Sequence, residues 1–349
     1  MVHETYMHRC LQLAKLGTGN VAPNPMVGAV LVYQNTIIGE GYHQQYGQAH
    51  AEVNCINSVS EANKHLVDKS TIYVSLEPCA HFGKTPPCAD LIIKNNIPKV
   101  VIACRDSYGE VDGKGIQKLK EAGIDVTIGI LEKEALALNK RFFTFHTKKR
   151  PYIILKWAQS VDAKIANEDF GAVKISTDLT NRLVHKWRSE EAAIMVGTNT
   201  ALQDDPSLTT RLWQGNNAVR LVIDRKLKLP LTLQLLNGLV KTIVFNDVKN
   251  DIINGVQYYK VSSVENMIHE ILNALFLLNI QSIFVEGGAK LLQSFIDNNY
   301  WDEARVITNE QITIGNGVQA PLLSNNYLIK KIKLNSDDIA IYQPNIKIK

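Results

Sequence analysis

The sequence of 349 residues lacks the segments that mark membrane and secreted proteins. It has no run near the roughly 18 uncharged apolar residues of a membrane helix, since the longest candidate, residues 274–280, contains Asn279. No basic stretch followed by apolar residues opens the chain, so we recognise no secretory signal. With 21 Gly and 11 Pro, the composition is too little biased for a collagenous or disordered chain. We therefore expect a globular protein in the cytoplasm.

Cysteine is scarce, and neither sign of charge dominates. Five cysteines are an odd number, and in a reducing compartment they are more often metal ligands, catalytic groups or core residues than disulfides. The net charge is +4, and outside the cluster at residues 148–150 we find no broad basic surface of the kind that binds polynucleotides. The expected partners are a small-molecule substrate and further copies of the same chain, without nucleic acid or membrane.

The length predicts two domains, because one domain takes about 150 residues. Residues 1–147 read as alternating helices and strands, which predicts a layered α/β domain. In chain order we predict a helix at 5–15, strands at 27–32 and 36–41, a helix at 50–59, a strand at 71–76, a helix at 88–94, a strand at 100–104, a helix at 115–122, a strand at 126–130 and a helix at 131–143. The charged, proline-containing segment 146–151 is predicted as a linker, which places the boundary between residues 147 and 148.

Residues 148–349 predict a second α/β domain. Strands are predicted at 152–157, 192–196, 219–223, 242–245, 282–285 and 304–308. Thr177 is predicted to cap a helix that ends near Ser189, and Ser263 a helix over 264–278. Between residues 282 and 292 the pattern is strand, glycine turn and helix, which would bring backbone N–H groups up to a pyrophosphate, although such a turn by itself is more often a plain connection.

His50, Glu52, Cys79 and Cys88 carry the most specific chemistry in the sequence. One imidazole and two thiolates are three good zinc ligands, and the fourth tetrahedral position then stays free for water. Such a site lowers the pKa of the water, and a nearby carboxylate, Glu52, moves the protons. Histidine and glutamate two residues apart, followed by Pro78 and Cys79, match the signature of zinc nucleobase deaminases.

One feature of this signature leaves the ligand set open. Eight residues separate Cys79 from Cys88, where the general signature has two, so His81 is an alternative ligand to Cys88. The remaining cysteines, Cys10, Cys55 and Cys104, lie in apolar stretches and are predicted as core residues.

The stretch EPCAHFGKTPPC at residues 77–88 resembles the motif of the bifunctional riboflavin biosynthesis deaminase/reductase family. Further matches to that family are PNPMVGAV at 23–30, GEGYH at 39–43, HAE at 50–52 and GKGI at 113–116. The resemblance implies a three-layer fold like that of cytidine deaminase and a substrate that is an aminopyrimidine ribose 5-phosphate. It also implies that Asn24, His81 and Lys84 bind this substrate.

The second half has no Gly-x-Gly-x-x-Gly motif after a strand, so a conventional Rossmann site is unsupported. LKWAQSVDAKIA at 155–166, VGTNT at 196–200, DDPSLTTR at 204–211 and VEGG at 285–288 instead resemble the reductase half of the same family. This resemblance implies a fold like dihydrofolate reductase, with NADPH reducing the ribosyl group to a ribityl chain.

The same resemblance implies the binding residues of the second half. The implied cofactor residues are Ala158, Thr200, Asp204, Arg225, Gly288, Ala289, Lys290, Leu291, Leu292, Gln293 and Ser294. The implied substrate residues are Lys156, Arg188, Leu208, Arg211 and Glu286. In two motifs this half departs from the family: the usual Ser-Leu-Asp-Gly is SVDA at 160–163, with Ala163 in place of glycine, and the usual Ser-x-Trp is AVK at 172–174, with Ala172 in place of a hydroxyl and Lys174 in place of an aromatic residue.

Asp224 and Arg225 follow a predicted strand and indicate opposite cofactor preferences. An acidic residue at a strand end accepts from a ribose 2′-hydroxyl, whereas an arginine accommodates a 2′-phosphate. We favour Arg225 and therefore predict a preference for NADPH. A competing hypothesis for the whole chain is a zinc deaminase that acts on tRNA or another nucleic acid, with residues 151–349 as a binding module.

Overall fold

The computed structural model describes residues 2–82, 86–106, 112–169, 173–262 and 266–345. The chain forms two compact units, Met1–Lys149 (unit 1) and Arg150–Lys349 (unit 2). The boundary predicted from the sequence lies two residues earlier. No helix in the described ranges combines the length and the apolar character that a membrane crossing requires.

Unit 1 contains six α-helices and five strands within the described residues. The helices are α1 (Val2–Lys15), α2 (Ala51–Asn57), α3 (Cys88–Lys94), α4 (Lys114–Glu121), α5 (Glu132–Leu138) and α6 (Lys140–Lys148), with a 3-10 helix at Glu61–Lys69. The strands are β1 (Gly28–Tyr33), β2 (Thr36–Tyr42), β3 (Thr71–Val74), β4 (Lys99–Ile102) and β5 (Asp125–Ile128).

The five strands form one sheet in the order β2-β1-β3-β4-β5, with β3, β4 and β5 parallel. Alternate residues of β1 enter different cores, because successive side chains of a strand point to opposite faces. Ala29 and Leu31 pack with residues of α2, α3 and α4. Val30 and Val32 pack with residues of α1 and α5. Unit 1 is therefore a three-layer α/β/α domain, as predicted.

The segment at 131–148 differs from its prediction. One helix over 131–143 was expected, but α5 and α6 meet at Asn139, whose side chain hydrogen-bonds to the backbone of Met26. The linker predicted to begin at residue 146 is also partly helical, since α6 continues to Lys148. Phe142 and Phe145 are buried, and this packing stabilises a helix in a segment whose charges indicated a linker.

Unit 2 contains four α-helices and twelve strands within the described residues. The helices are α7 (Asp178–Glu190), α8 (Thr198–Asp204), α9 (Met267–Leu277) and α10 (Ala289–Asp297), with a 3-10 helix at Gln234–Leu236. The strands are β6 (Tyr152–Ser160), β7 (Lys164–Asn167), β8 (Ala193–Gly197), β9 (Val219–Ile223), β10 (Thr242–Asn246), β11 (Asp251–Ile253), β12 (Val256–Lys260), β13 (Ser282–Gly287), β14 (Glu303–Asn309), β15 (Gly317–Gln319), β16 (Asn326–Leu334) and β17 (Asp337–Pro344).

Ten of these strands form one sheet in the order β11-β12-β10-β9-β8-β13-β6-β14-β17-β16, and β7 pairs with β15. The strands from β12 to β14 in this order are parallel. One core packs residues of α9 and α10 on the sheet, and a second packs residues of α7 and α8. The carboxyl ends of the parallel strands therefore share one edge, which is where ligands bind in open α/β sheets.

All six strands predicted in this half are present, because buried parallel strands read as continuous apolar runs. The sequence missed β7, β11, β12, β15, β16 and β17. Most of them are short or carry many exposed residues, and β11 is exposed throughout. Thr177 caps α7 by accepting a hydrogen bond from the N–H of Thr180, as predicted. The predicted cap Ser263 lies outside the described residues, and α9 begins at Met267.

Candidate active sites

Unit 1 brings His50, Cys79 and Cys88 into one group. Their ligand atoms all lie within 4.8 Å of one another. His50 Nδ1 is 3.6 Å from the Cys79 sulfur and 3.3 Å from the Cys88 sulfur. His50 lies at the N-cap of α2, and Cys88 is the first residue of α3. One nitrogen and two sulfurs in this arrangement fit a tetrahedral zinc ion with one open position.

Hydrogen bonds within this group change the pKa of each ligand. The bond from Cys88, followed by that from His50, lowers the pKa of the Cys79 thiol although burial opposes the change. The same bond to Cys79, together with burial, raises the pKa of Cys88. The bond to Cys79 raises the pKa of His50. One thiol thus ionises readily, as a metal ligand must.

Glu52 lies in the first turn of α2, and its side chain is only 3% exposed. Burial raises the pKa of its carboxyl group, although the charge of His50 opposes this shift. A carboxylate with a raised pKa takes up a proton more readily than an exposed one, which suits a residue that transfers protons.

Next to this group lies His43, which was not predicted and which contacts the predicted residue Asn24. Asn24 Nδ2 lies 3.1 Å from His43 Nε2, while His43 Nδ1 lies 3.0 Å from the carbonyl oxygen of Ala49. The ring of His43 meets that of His50 edge-on, with 5.4 Å between centroids. Asn24 was a predicted substrate residue. His43 was given no role, although it closes the GEGYH stretch that carried the family resemblance.

Asn139 is a second residue that sequence reasoning missed. Its Oδ1 accepts a hydrogen bond from the N–H of Met26 (2.8 Å), and its Nδ2 donates to the carbonyl of Met26 (2.9 Å). These two bonds fix the backbone two residues after Asn24. No sequence signal points to this contact, because the partners are 113 positions apart.

Other predicted residues of unit 1 lie apart from the metal-ligand group or outside the described residues. His81 is described but is not a member of the group of three. Lys84 lies outside the described residues, so the structure leaves its predicted role open. Cys10, Cys55 and Cys104 are buried in the two cores, as predicted.

Unit 2 holds a cavity of about 620 Å³ at the carboxyl ends of its parallel strands. Nine of the eleven predicted cofactor residues line it: Ala158, Thr200, Asp204, Gly288, Ala289, Lys290, Leu291, Leu292 and Ser294. Gln293 and Arg225 are outside its lining. Of the predicted substrate residues, Lys156 and Glu286 line the cavity.

A buried ion-pair network lies at the cavity wall. Arg188 donates from Nε and Nη2 to the two carboxylate oxygens of Glu286, at 2.6 and 2.8 Å. Lys156 Nζ lies 3.8 Å from Glu286 Oε2. Burial opposes ionisation of Glu286, but the charges of Arg188 and then Lys156 outweigh it and lower the pKa to about 2. Burial lowers the pKa of Lys156, although Glu286 partly offsets this effect.

The glycine turn between β13 and α10 forms part of the same cavity. Gly287 has φ +139°, which side chains rarely adopt, and a Cβ on Gly288 would lie 3.0 Å from Thr200 Oγ1. Gly288 is the N-cap of α10, so the first N–H groups of this nine-residue helix border the cavity. This is the arrangement that binds phosphates.

Asp224 and Arg225 have different surroundings. The Asp224 carboxylate is buried and accepts from the N–H groups of Lys228 (2.9 Å) and Leu229 (2.8 Å). Its oxygens are therefore committed to a backbone turn. Arg225 is partly exposed and lies 3.4 Å from Asp247, which also pairs with Lys226 at 3.0 Å.

The other predicted substrate residues are not themselves part of the cavity lining, although Arg188 bonds to the lining residue Glu286. Arg211 is exposed and donates to Ser207 Oγ at 2.8 Å. Leu208 is 3% exposed and belongs to the core beneath α7 and α8. Arg188 reaches this loop through a 3.4 Å bond to the carbonyl oxygen of Thr209.

Both departures from the family pattern have structural consequences. Ala163 has φ +57°, a left-handed conformation that favours glycine. Lys174 lines the cavity and pairs with Asp178 at 2.8 Å. A charged side chain thus borders the space where the family pattern has an aromatic ring.

Comparison with known proteins gives matches to both units. Residues 1–104 match the family described as cytidine and deoxycytidylate deaminase zinc-binding region. Residues 151–347 match the RibD C-terminal domain.

Full-length relatives are also found. The riboflavin biosynthesis protein RibD of Aquifex aeolicus is 38% identical, with 98% of each chain covered. RibD of Bacillus amyloliquefaciens is 38% identical, covering 99% of this chain and 95% of the relative. The solved structure of a diaminohydroxyphosphoribosylaminopyrimidine deaminase/5-amino-6-(5-phosphoribosylamino)uracil reductase from Thermotoga maritima is 35% identical, with a TM-score of 0.90 and coverage of 98% and 99%. None of these matches supports the tRNA alternative.

Proposed function

The chain belongs to the RibD family of bifunctional riboflavin biosynthesis enzymes, and from that membership we propose which of its residues serve each of its two reactions. It is an enzyme that combines a zinc-dependent deaminase with an NADPH-dependent reductase. We assign the deaminase to unit 1, which holds the metal-ligand group. We assign the reductase to unit 2, which holds the cavity at the strand ends.

In unit 1, His50, Cys79 and Cys88 would hold the zinc ion. When bound, zinc in such a site lowers the pKa of a coordinated water to near neutrality. Glu52 takes a proton onto its carboxylate as water adds to the pyrimidine ring and returns it to the departing amino group. The raised pKa of the buried Glu52 supports this role, because its carboxylate then accepts a proton more readily than an exposed one.

Asn24 and His43 would orient the ring of the substrate. Their mutual contact and the bond of His43 to Ala49 hold both side chains beside His50. Burial lowers the pKa of His43, so that the ring stays neutral and keeps one nitrogen as an acceptor. His81 and Lys84 would bind the ribose phosphate.

In unit 2, Lys156 would hold the proton that the reduction of the ribosyl group consumes. Bound NADPH supplies the hydride. Lys156 lines the cavity, and burial lowers the pKa of its side chain, which makes the ammonium a better proton donor. Glu286, fixed by its two bonds to Arg188, keeps the amine in place. Arg211 would bind the substrate phosphate from the adjacent loop, as a guanidinium does through paired N–H groups.

The cofactor would lie along the Gly287–Gly288 turn and the start of α10. Backbone N–H groups at the N-terminus of this helix suit its pyrophosphate. Arg225 would bind the 2′-phosphate, since the oxygens of Asp224 are committed to the turn at residues 228–229.

The observation that carries this proposal is the group of His50, Cys79 and Cys88 with the buried Glu52 on the adjoining helix turn. To test it, the purified chain is incubated with the diaminopyrimidine ribose phosphate, with and without NADPH. We expect ammonia release in both samples and loss of the nicotinamide absorbance only after deamination has begun. Ammonia release that survives complete removal of zinc would refute the assignment.

The proposal also covers the oligomeric state of the enzyme, its location and its binding partners. We expect a homo-oligomer that acts in the cytoplasm and binds no nucleic acid. Light scattering during gel filtration measures the oligomeric state, and filter binding with tRNA tests the absence of nucleic-acid binding. Retention of tRNA on the filter by this protein at physiological salt would contradict the expected absence of nucleic-acid binding.

A further inference from the structure

Glu77 lies two residues before the metal-ligand candidate Cys79, and its side chain is only 4% exposed. Its two carboxylate oxygens accept hydrogen bonds from four backbone N–H groups. Oε2 accepts from Asp106 (3.2 Å) and Gly113 (3.1 Å), and Oε1 accepts from Gly115 (3.0 Å) and Ile116 (3.2 Å). One buried side chain therefore joins three parts of the chain: the segment after β3, the segment after β4 and the first turn of α4.

An ionised carboxylate is well suited to this position. It offers only acceptor sites, and all four of its neighbours are donors. The donors at Gly115 and Ile116 belong to the first turn of α4, where free N–H groups and the helix dipole favour a negative charge. A glutamine would present its NH₂ group to at least one of these N–H groups and would lose bonds.

A second contact joins α4 to the same segment. A Cβ on Gly115 would lie 1.9 Å from the carbonyl oxygen of Pro78, so only glycine permits this approach. Pro78 is bonded directly to Cys79. The first turn of α4 thus contacts both residues that precede the ligand, Glu77 by hydrogen bonds and Pro78 by close packing.

We propose that Glu77 is a positioning residue of the deaminase site, which fixes Cys79 as a metal ligand by anchoring the preceding backbone to the start of α4. The GKGI stretch at residues 113–116 forms the other side of this anchor. It supplies three of the four N–H donors to Glu77, and its Gly115 leaves room for the carbonyl oxygen of Pro78. The inference rests on the proposed metal site. Zinc–sulfur bonds are about 2.3 Å long with little tolerance, so a small shift of the Cys79 backbone weakens coordination. Loss of such outer contacts typically weakens metal binding about 10-fold to 100-fold.

Three variants of the full chain test the anchor. Glu77→Gln removes the second carboxylate oxygen, and Gly115→Ala places a methyl group against Pro78. Glu121→Gln is the matched control, because Glu121 is an exposed carboxylate on the same helix. Zinc affinity is measured by competition with a chromophoric chelator, and the ligand geometry by the visible absorption of the cobalt-substituted protein.

We expect zinc affinity to fall about 10-fold to 100-fold in Glu77→Gln and Gly115→Ala and to stay unchanged in Glu121→Gln. The intensity of the cobalt bands should change in the same two variants. A merely structural role would lower thermal stability and leave the zinc affinity and the cobalt spectrum of the folded protein unaltered. That outcome would overturn the inference.

A measurement on the unaltered chain covers the case in which these variants do not fold. Coupling between two sites is reciprocal, so bound zinc should stabilise the anchor as much as the anchor stabilises bound zinc. We expect hydrogen exchange in a peptide spanning residues 113–116 to speed up when zinc is removed, while a peptide from α10 serves as an unaffected control. Equal exchange at residues 113–116 with and without zinc would overturn the inference. If the unaltered chain binds no zinc at all, the proposed metal site itself fails instead.

Discussion

In unit 1 the candidate metal ligands lie in contact with one another, whereas in unit 2 the candidate binding groups are spread over several strand ends around a cavity of about 620 Å³. His50, Cys79 and Cys88 come from the starts of two short helices and the loop after one strand. The wall of the cavity in unit 2 takes residues from six strands, β6, β7, β8, β9, β13 and β15, and from four helices, α7, α8, α9 and α10. A metal site needs only three or four side chains, while a cofactor site needs a surface as long as the cofactor.

The two sites also differ in how their ionisable side chains interact. In unit 1 the hydrogen bond between the two thiols lowers the pKa of Cys79 and raises that of Cys88. In unit 2 the charges of Arg188 and Glu286 are permanent and paired, with side chains 13% and 8% exposed. In unit 1 the proposed proton-transfer residue is the buried Glu52 beside the ligand group, whereas in unit 2 it is Lys156, which lies in the ion-pair network of Glu286 and Arg188. The following predictions test this separation.

The largest expected effect is that of Cys88→Ala on unit 1. We expect zinc to fall from about one ion per chain to a small fraction and deaminase activity to disappear, because only two ligands remain. Reduction of pre-deaminated substrate by NADPH should persist. Metal analysis and the two activity assays measure these quantities. Full zinc content with full deaminase activity would make His81 the ligand candidate instead.

Glu52→Gln should lower the rate of deamination without lowering the zinc content. The amide cannot move protons, so we expect ammonia release to fall about 10²-fold to 10⁴-fold while zinc content stays unchanged. NADPH oxidation on pre-deaminated substrate is the internal control. If both activities fell together, the two units would not be separate catalytic units.

Arg225→Ala should change the cofactor preference of unit 2. A charge-assisted bond to phosphate contributes about 1.5 to 3 kcal/mol, so the ratio of kcat/KM for NADPH over NADH should fall about 10-fold to 150-fold. Lys226→Ala is the matched control, because Lys226 shares the partner Asp247 with Arg225. An unchanged ratio in Arg225→Ala would remove this residue from the cofactor site even if NADPH is preferred.

The smallest expected effect is that of Ala163→Gly. Ala163 has φ +57°, which costs a residue with a Cβ about 1–2 kcal/mol, and the greater freedom of glycine in the unfolded chain offsets part of this gain. We expect a net stabilisation of about 1 kcal/mol and a rise of about 2–4 °C in the Tm of unit 2. Unit 1 should melt as before. A lower Tm for unit 2 would show that the strain at this turn is absent in solution.

The sequence predicted the ligand group and the layered fold because each has a pattern of residue types that is recognisable along the chain, the deaminase signature for the ligands and apolar runs for the strands. A zinc ligand must be a soft or imidazole side chain, and His50, Cys79 and Cys88 stand where helices begin or strands end. Buried strands such as β9 and β13 show as apolar runs. Exposed strands such as β16 carry no such signal, since their stability comes from pairing with a neighbour and not from their own composition.

Other features were decided by tertiary structure alone. Asn139 hydrogen-bonds to the backbone of Met26, and Glu77 accepts from the N–H groups of Asp106, Gly113, Gly115 and Ile116, because the fold brings distant segments together. The sequence supplied the residue types that can act as ligands, acids and phosphate binders. Only the tertiary structure determined which of them meet, since Arg188 and Glu286 pair across 98 positions through the packing of α7 on the end of β13. The physical reason is that side-chain chemistry is local, whereas contact depends on the path of the whole backbone.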